Sequence, residues 1–193
     1  MMQRMASFEK IRDARDGAIV VATYTSAFEW RRVDPDPLNF VSVGAMGQAS
    51  SHGLGLAIGL PEQKVIVLDG DGSLLMNMST LTTIANETPD NLVHFVIENG
   101  SYEANGGHPI PSQGRMDFAG MARAAGYAHA ATYEGLNQFA ADLPELLSRP
   151  GPVFAALKVE AGDAPPLDYD YDWLHSADRR REFRKAVKPL LKD

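Results

Sequence analysis

Five short runs of nearly unbroken apolar residues constrain the fold more than any other feature: AIVVAT (18–23), FVSV (40–43), KVIVLD (64–69), LVHFVIE (92–98) and VFAALKVE (153–160). They have the length of strands, and a strand without polar alternation is one buried on both faces. Between them lie stretches with helical spacing, at about 3–14, 48–60, 74–86, 117–125, 135–147 and 176–191. The alternation predicts an α/β chain, a three-layer α/β/α sandwich whose mostly parallel sheet is covered by helices on both sides through right-handed crossovers. At 193 residues and 45% hydrophobic content, the chain has enough apolar material for one domain with a sizeable core. Residues 161–172, AGDAPPLDYDYD, read as a surface linker, because prolines and aspartates interrupt every periodic pattern there. The final helix should place Phe183, Val187, Leu190 and Leu191 on one apolar side and pack on the same domain.

Charge and cysteine usage exclude several functions. A net charge of −7 argues against a phosphate-backbone or anionic-membrane surface, which needs a concentrated basic stripe. The tightest basic cluster, DRRREFRK (178–185), is interleaved with acids and apolar residues and fits an amphipathic helix. With no cysteine, thiolate metal sites and thiol nucleophiles are unavailable. The first seventeen residues are broken by charges every few positions, unlike a signal peptide, so the expected location is cytoplasmic.

The distinctive chemistry lies in three glycine-bearing loops that follow strands: VGAMGQASSHGLG, DGDGS and ENGSYEANGGHP. In an open parallel sheet such loops share the carboxyl rim, where ligands bind. DGDGS begins like a calcium loop but fails as one, since its sixth position is Leu74 and its twelfth is Thr80. It also lacks the lysine of a nucleotide P-loop. Twenty-five residues separate Gly72 from Glu98, the length of one helix and one returning strand, so Asp71 and Asn99 can converge on one edge. A carboxylate and an amide carbonyl are hard oxygen donors suited to Mg²⁺ or Ca²⁺ when a ligand's phosphates complete the shell. Gly70 and Gly72 would let phosphates approach the backbone, Ser73 opens the next helix, and Asp69 is read as serving the turn. The spacing of Gly53, Gly55 and Gly59 departs from a dinucleotide fingerprint, and close helix packing is the expected reason for them.

A GDG followed about 25 residues later by an asparagine resembles the motif of thiamine-diphosphate-dependent enzymes, specifically their pyrophosphate-binding (PP) domain. The resemblance runs from about Ala18 to Glu160, so residues 1–160 are expected to form that domain and 161–193 the linker and final helix. It is strongest to the small decarboxylase branch that acts on sulfopyruvate and phosphonopyruvate, through VGAMGQASSHGLGLAIG and NGSYEANGGHP. It implies thiamine diphosphate and Mg²⁺ as cofactors, with Asp71 and Asn99 ligating the metal by side chain and Ser101 by its main-chain carbonyl. It further implies that Gly70, Gly72, Ser73 and Tyr102 border the diphosphate, that Gly44 accepts from the cofactor's amino group, and that Met46 props its bent shape.

Two positions depart from the family pattern. Glu98 stands where an asparagine is common, which leaves the metal ligands intact. His108 replaces the usual glutamine of the GGQP loop, and a titratable imidazole there would suit substrate binding or proton transfer. His52, among the helix glycines, reads as packed or interfacial. The family's activating glutamate comes from a second, pyrimidine-binding (PYR) domain, for which this chain is too short. The resemblance therefore implies a subunit that self-associates and needs a separate PYR partner to cleave a 2-oxo acid to an aldehyde and CO₂. The alternatives are a carboligase of the acetolactate-synthase type, or a cofactor-binding module without turnover.

Overall fold

A computed structural model describes residues 1–42, 46–162, 172 and 176–191 of the chain. Its six-stranded sheet is parallel throughout: β1 (Ile19–Thr23), β2 (Asn39–Ser42), β3 (Val65–Gly70), β4 (Leu92–Glu98), β7 (His129–Tyr133) and β8 (Val153–Lys158), in the order β2-β1-β3-β4-β8-β7. A short antiparallel hairpin, β5 (Ser101–Tyr102) with β6 (His108–Pro109), stands apart from it.

Helices cover both faces, as the continuous apolar strands require. On one face α1 (Arg4–Ala14), α2 (Tyr24–Val33) and α7 (Leu136–Ser148) press Phe8, Ile11, Trp30, Phe139 and Leu143 onto Ile66, Leu68, Val93 and Phe95. On the other, α3 (Ala49–Gly59), α4 (Asp71–Met76), α5 (Thr80–Glu87), α6 (Phe118–Ala125) and α8 (Ala177–Val187) cover Val65, Val67, Leu92, Val96 and Phe154. The three-layer expectation is thus met, and all five expected strands are present.

The differences from expectation have local causes. Helix α2 and strand β7 were not anticipated: α2 opens on the β-prone Tyr-Thr, and β7 is an alanine-rich edge strand, only partly buried. The helix expected over 74–86 starts earlier, at Asp71, and breaks at Asn77. There the Asn77 side chain donates to the Gly47 carbonyl (3.0 Å) while Ser79 and Thr80 hydroxyls bond back to Asn77, so side chains replace the helical ladder. In α8 Ser176 caps the first turn and Phe183 meets Phe40 edge-on at 5.2 Å, but Leu191 is exposed, beyond the helix and off its apolar side. The linker expected at 161–172 lies almost wholly outside the described residues. No helix among them is long and apolar enough to cross a membrane.

Glycine packing in α3 is divided. A methyl at Gly53 would come within 2.3 Å of a Val67 methyl, so the helix sits directly on β3 there. Gly55 and Gly59 face open space, which overturns close packing as their explanation. His52 is exposed, with its ring 5.1 Å from that of Phe40.

Candidate functional site

The strand order places the site. From β1 the chain winds outward to β2, whereas from β3 it winds the opposite way to β4, so the carboxyl ends of β1 and β3 flank a switch point where a crevice must open. A cavity of about 50 Å³ lies there, bordered by Thr23–Ser26 at the end of β1, Gly70–Ser73 at the end of β3, and Asn99 and Ser101–Ala104 after β4.

Asp71 is the centre of this arrangement. It is 1% exposed, and both carboxylate oxygens are held by backbone donors: Gly72 N–H gives to Oδ1 and Gly100 N–H to Oδ2, each at 2.7 Å. Burial pushes its pKa up to about 6 against the pull of those N–H groups, and Glu98 adds to the rise. No basic side chain forms an ion pair with it among the described residues. A buried carboxylate of this kind is a group whose ionised form a cation would restore. Asn99 turns its side-chain oxygen to the Ser101 N–H at 2.8 Å, and the Gly100 between them sits at φ +77°, a conformation that favours glycine. Asp71, Asn99 and Ser101 therefore come together on one wall, while no cluster of three His, Asp or Glu side chains that could hold a metal exists among the described residues. The donor set matches a cation that keeps water or ligand oxygens in most of its shell, as Mg²⁺ does.

The neighbouring loops brace one another. Ser73 Oγ accepts from Gly47 N–H at 2.9 Å, which ties the segment carrying Met46 to α4, and Met46 lines the cavity half-buried. Gly44 lies outside the described residues. Gly72 lines the cavity and has a reason of its own for lacking a side chain: one there would strike the Tyr102 ring at 2.5 Å, so its bare Cα seats that ring against the loop. A methyl at Gly70 would meet nothing closer than 3.9 Å. His108 is exposed on β6, cross-strand from Tyr102, and does not line the cavity.

Two contributors escaped the reading of the sequence: the turn after β1, which carries no glycine, and Arg4, which lies on a helix rather than in a loop. Thr23–Ser26 border the cavity, and Tyr24 holds a left-handed φ of +48°, costly for a non-glycine residue. The polar run TYTS directly after a buried strand was the available signal. Arg4 reaches the rim from α1, forking onto Glu29 (2.5 and 2.7 Å) and giving a third bond to buried Glu103 (2.7 Å). This network locks the amino-terminal helix to the loop after β4.

Comparison with known proteins agrees with the geometry. Residues 20–156 match the thiamine pyrophosphate enzyme, C-terminal TPP binding domain. The sulfopyruvate decarboxylase subunit beta of Methanothermobacter thermautotrophicus is 34% identical over 175 residues, covering 88% of this chain and 90% of that one. The phosphonopyruvate decarboxylase of Streptomyces viridochromogenes is 35% identical over 166 residues, 85% of this chain but only 41% of that protein, so the chain spans about two fifths of such a relative. In fold it is similar to the thiamine diphosphate-dependent 4-hydroxybenzoylformate decarboxylase of Rhodococcus jostii RHA1, with a TM-score of 0.67 at 20% identity over 83% of this chain and 33% of that one.

Proposed function

The chain belongs to the thiamine pyrophosphate enzymes through their C-terminal TPP-binding domain, and from that premise we propose that it is the cofactor-binding subunit of a heteromeric 2-oxo acid decarboxylase. In this reading residues 1–160 are the PP domain, thiamine diphosphate and Mg²⁺ are the cofactors, and a separate PYR-domain subunit closes over them. The observation that carries it is the buried Asp71 carboxylate, held by the Gly72 and Gly100 amides beside Asn99 at the sheet's switch point. The near full-length match to a subunit named beta supports a two-chain enzyme.

Thiamine diphosphate supplies the nucleophilic carbon and the electron sink through which a 2-oxo acid loses CO₂. This chain's residues hold and orient it. Asp71, Asn99 and the Ser101 carbonyl would bind the cation, which in turn neutralises the diphosphate. Ser73 and Gly72 border that group, Gly44 and Met46 would meet the pyrimidine side, and the apolar Met46 packs there without competing for hydrogen bonds. His108, on the exposed hairpin, is the residue we assign to substrate contact once the partner closes the site.

Calorimetry tests the binding half of the reading, with Mg²⁺-dependent thiamine diphosphate binding by the purified chain as the expected result. Adding the PYR subunit should switch on release of CO₂ and an aldehyde; turnover by this chain alone would refute the two-subunit assignment.

A further inference from the structure

Directly beneath the cation loop, the face of the sheet covered by α3–α6 carries Asp69 and His94, and Tyr127 from the α6–β7 connection packs against them; no ligand role accounts for these three polar side chains. Asp69 and His94 are both 0% exposed and Tyr127 is 4% exposed. The β3–β4 register pairs Val67 with His94 and Asp69 with Val96, which sets Asp69 and His94 on neighbouring diagonal positions of that face. His94 Nε2 lies 3.5 Å from Asp69 Oδ2, and neither atom has another hydrogen-bond partner among the described residues. On its other side His94 Nδ1 lies 3.2 Å from the Tyr127 hydroxyl. Phe154 stands edge-on to both rings, at 5.2 and 5.8 Å, and fixes their planes.

The chemistry orders this chain. Were Nδ1 to carry the imidazole hydrogen, the bare Nε2 lone pair would face a carboxylate oxygen in a dry interior, a strongly unfavourable contact. A hydrogen on Nε2, directed at Asp69, avoids that contact, and in this tautomer the Tyr127 hydroxyl donates to Nδ1. Burial and the Asp69 charge raise the Tyr127 phenol above its ordinary value, which keeps that hydroxyl protonated. The second Asp69 oxygen, Oδ1, accepts from the N–H of Gly70 at 2.9 Å, the peptide at which the backbone turns toward Asp71.

We propose that Asp69, His94 and Tyr127 form a buried positioning chain that fixes the exit of the backbone from β3, so that His94 controls cation and cofactor binding without touching either. The inference rests on the cofactor reading above. A buried Asp–His pair stabilises a core less than hydrocarbon of equal volume, so its value must lie in orientation. Its contact is long for a hydrogen bond, and such bonds often tighten when a site is filled.

The test uses the full chain, isotopically labelled, with His94→Phe and Tyr127→Phe, and Ile84→Val as a core control outside the chain. Imidazole nitrogen shifts should report the Nε2–H form in the parent. His94→Phe should speed hydrogen exchange of the Gly70 and Gly100 amides by about tenfold or more. It should also weaken Mg²⁺-dependent thiamine diphosphate binding by about 10- to 100-fold, the usual effect of losing a partner behind a ligand. Ile84→Val should change neither. Tyr127→Phe, which deletes one buried oxygen, should move both readouts in the same direction by a smaller factor, and it serves if His94→Phe does not fold. Parent-like exchange and affinity in the folded variants would overturn the proposal. Failure of the parent itself to bind the cofactor would instead defeat the functional reading, while the exchange measurement would still decide the positioning role.

Discussion

The two faces of the central strands make a sharp contrast. Toward α1, α2 and α7, β3 and β4 present Ile66, Leu68, Val93, Phe95 and Ile97, a surface of hydrocarbon alone. Toward α3–α6 the same two strands present Val65, Val67, Leu92 and Val96 but also Asp69 and His94, equally buried. Both faces are sealed from water, so solvation does not explain the difference. Asp69 occurs where β3 leads into the loop that holds Asp71, and His94 lies diagonal to it on β4, which suggests that one face serves stability and the other serves stability and the site.

Substitutions on the two sides should separate those duties. Phe95 is fully buried and meets the Phe139 ring at 5.7 Å and 88°. Phe95→Ala should cost about 3–5 kcal/mol in denaturant unfolding, yet leave the cofactor affinity of the folded fraction at the parent value. A changed affinity would show that the hydrocarbon face also shapes the site. Asp71→Ala reverses the pattern. It should remove Mg²⁺-dependent thiamine diphosphate binding by at least about 100-fold, read by calorimetry, while the chain still folds. Binding that survives it would defeat the metal assignment.

The sheet and most helices were legible because burial on both faces writes a continuous apolar run, and α/β alternation follows from it. Asp71 and Asn99 were legible because the crossover length between them fixes where their strands end. What was hidden depended on contacts between segments far apart in the chain. The seat of Tyr102 on Gly72, the reach of Arg4 to Glu103 and the entry of Thr23–Ser26 into the crevice need the strand order, which no local pattern states. Helix α2 was hidden for the opposite reason, since its first residues favour a strand and only packing of Trp30 and Phe28 in the core makes them helical.

Within α3 the contrast recurs between neighbours. Gly53→Ala must push a methyl into Val67 and should destabilise the chain by about 1–3 kcal/mol. Gly55→Ala meets nothing, so the better helix former should raise stability by about 0.5–1 kcal/mol. Thermal unfolding of the two variants side by side decides it, and a loss on Gly55→Ala would indicate a contact absent from the isolated chain, such as a second subunit on that face.

The smallest expected effect tests whether the hydrocarbon face carries any polar dependence of its own. A buried tyrosine of that face, Tyr133, bonds through its hydroxyl to Asp142 of α7 at 3.2 Å. Burial and then the Asp142 carboxylate push its phenol up from 10.0 to about 12. A phenol raised on folding favours the neutral native form, so the unfolded chain loses this proton first as pH climbs. The contribution is therefore complete below about pH 10 and disappears between pH 10 and about 12. Tyr133→Phe should flatten the fall in thermal midpoint across that window relative to the parent and change nothing at neutral pH beyond the loss of one partly exposed hydrogen bond. Identical slopes for the two proteins would mean that the phenol is solvated in both states, and that polarity on this face ends outside the packed layer.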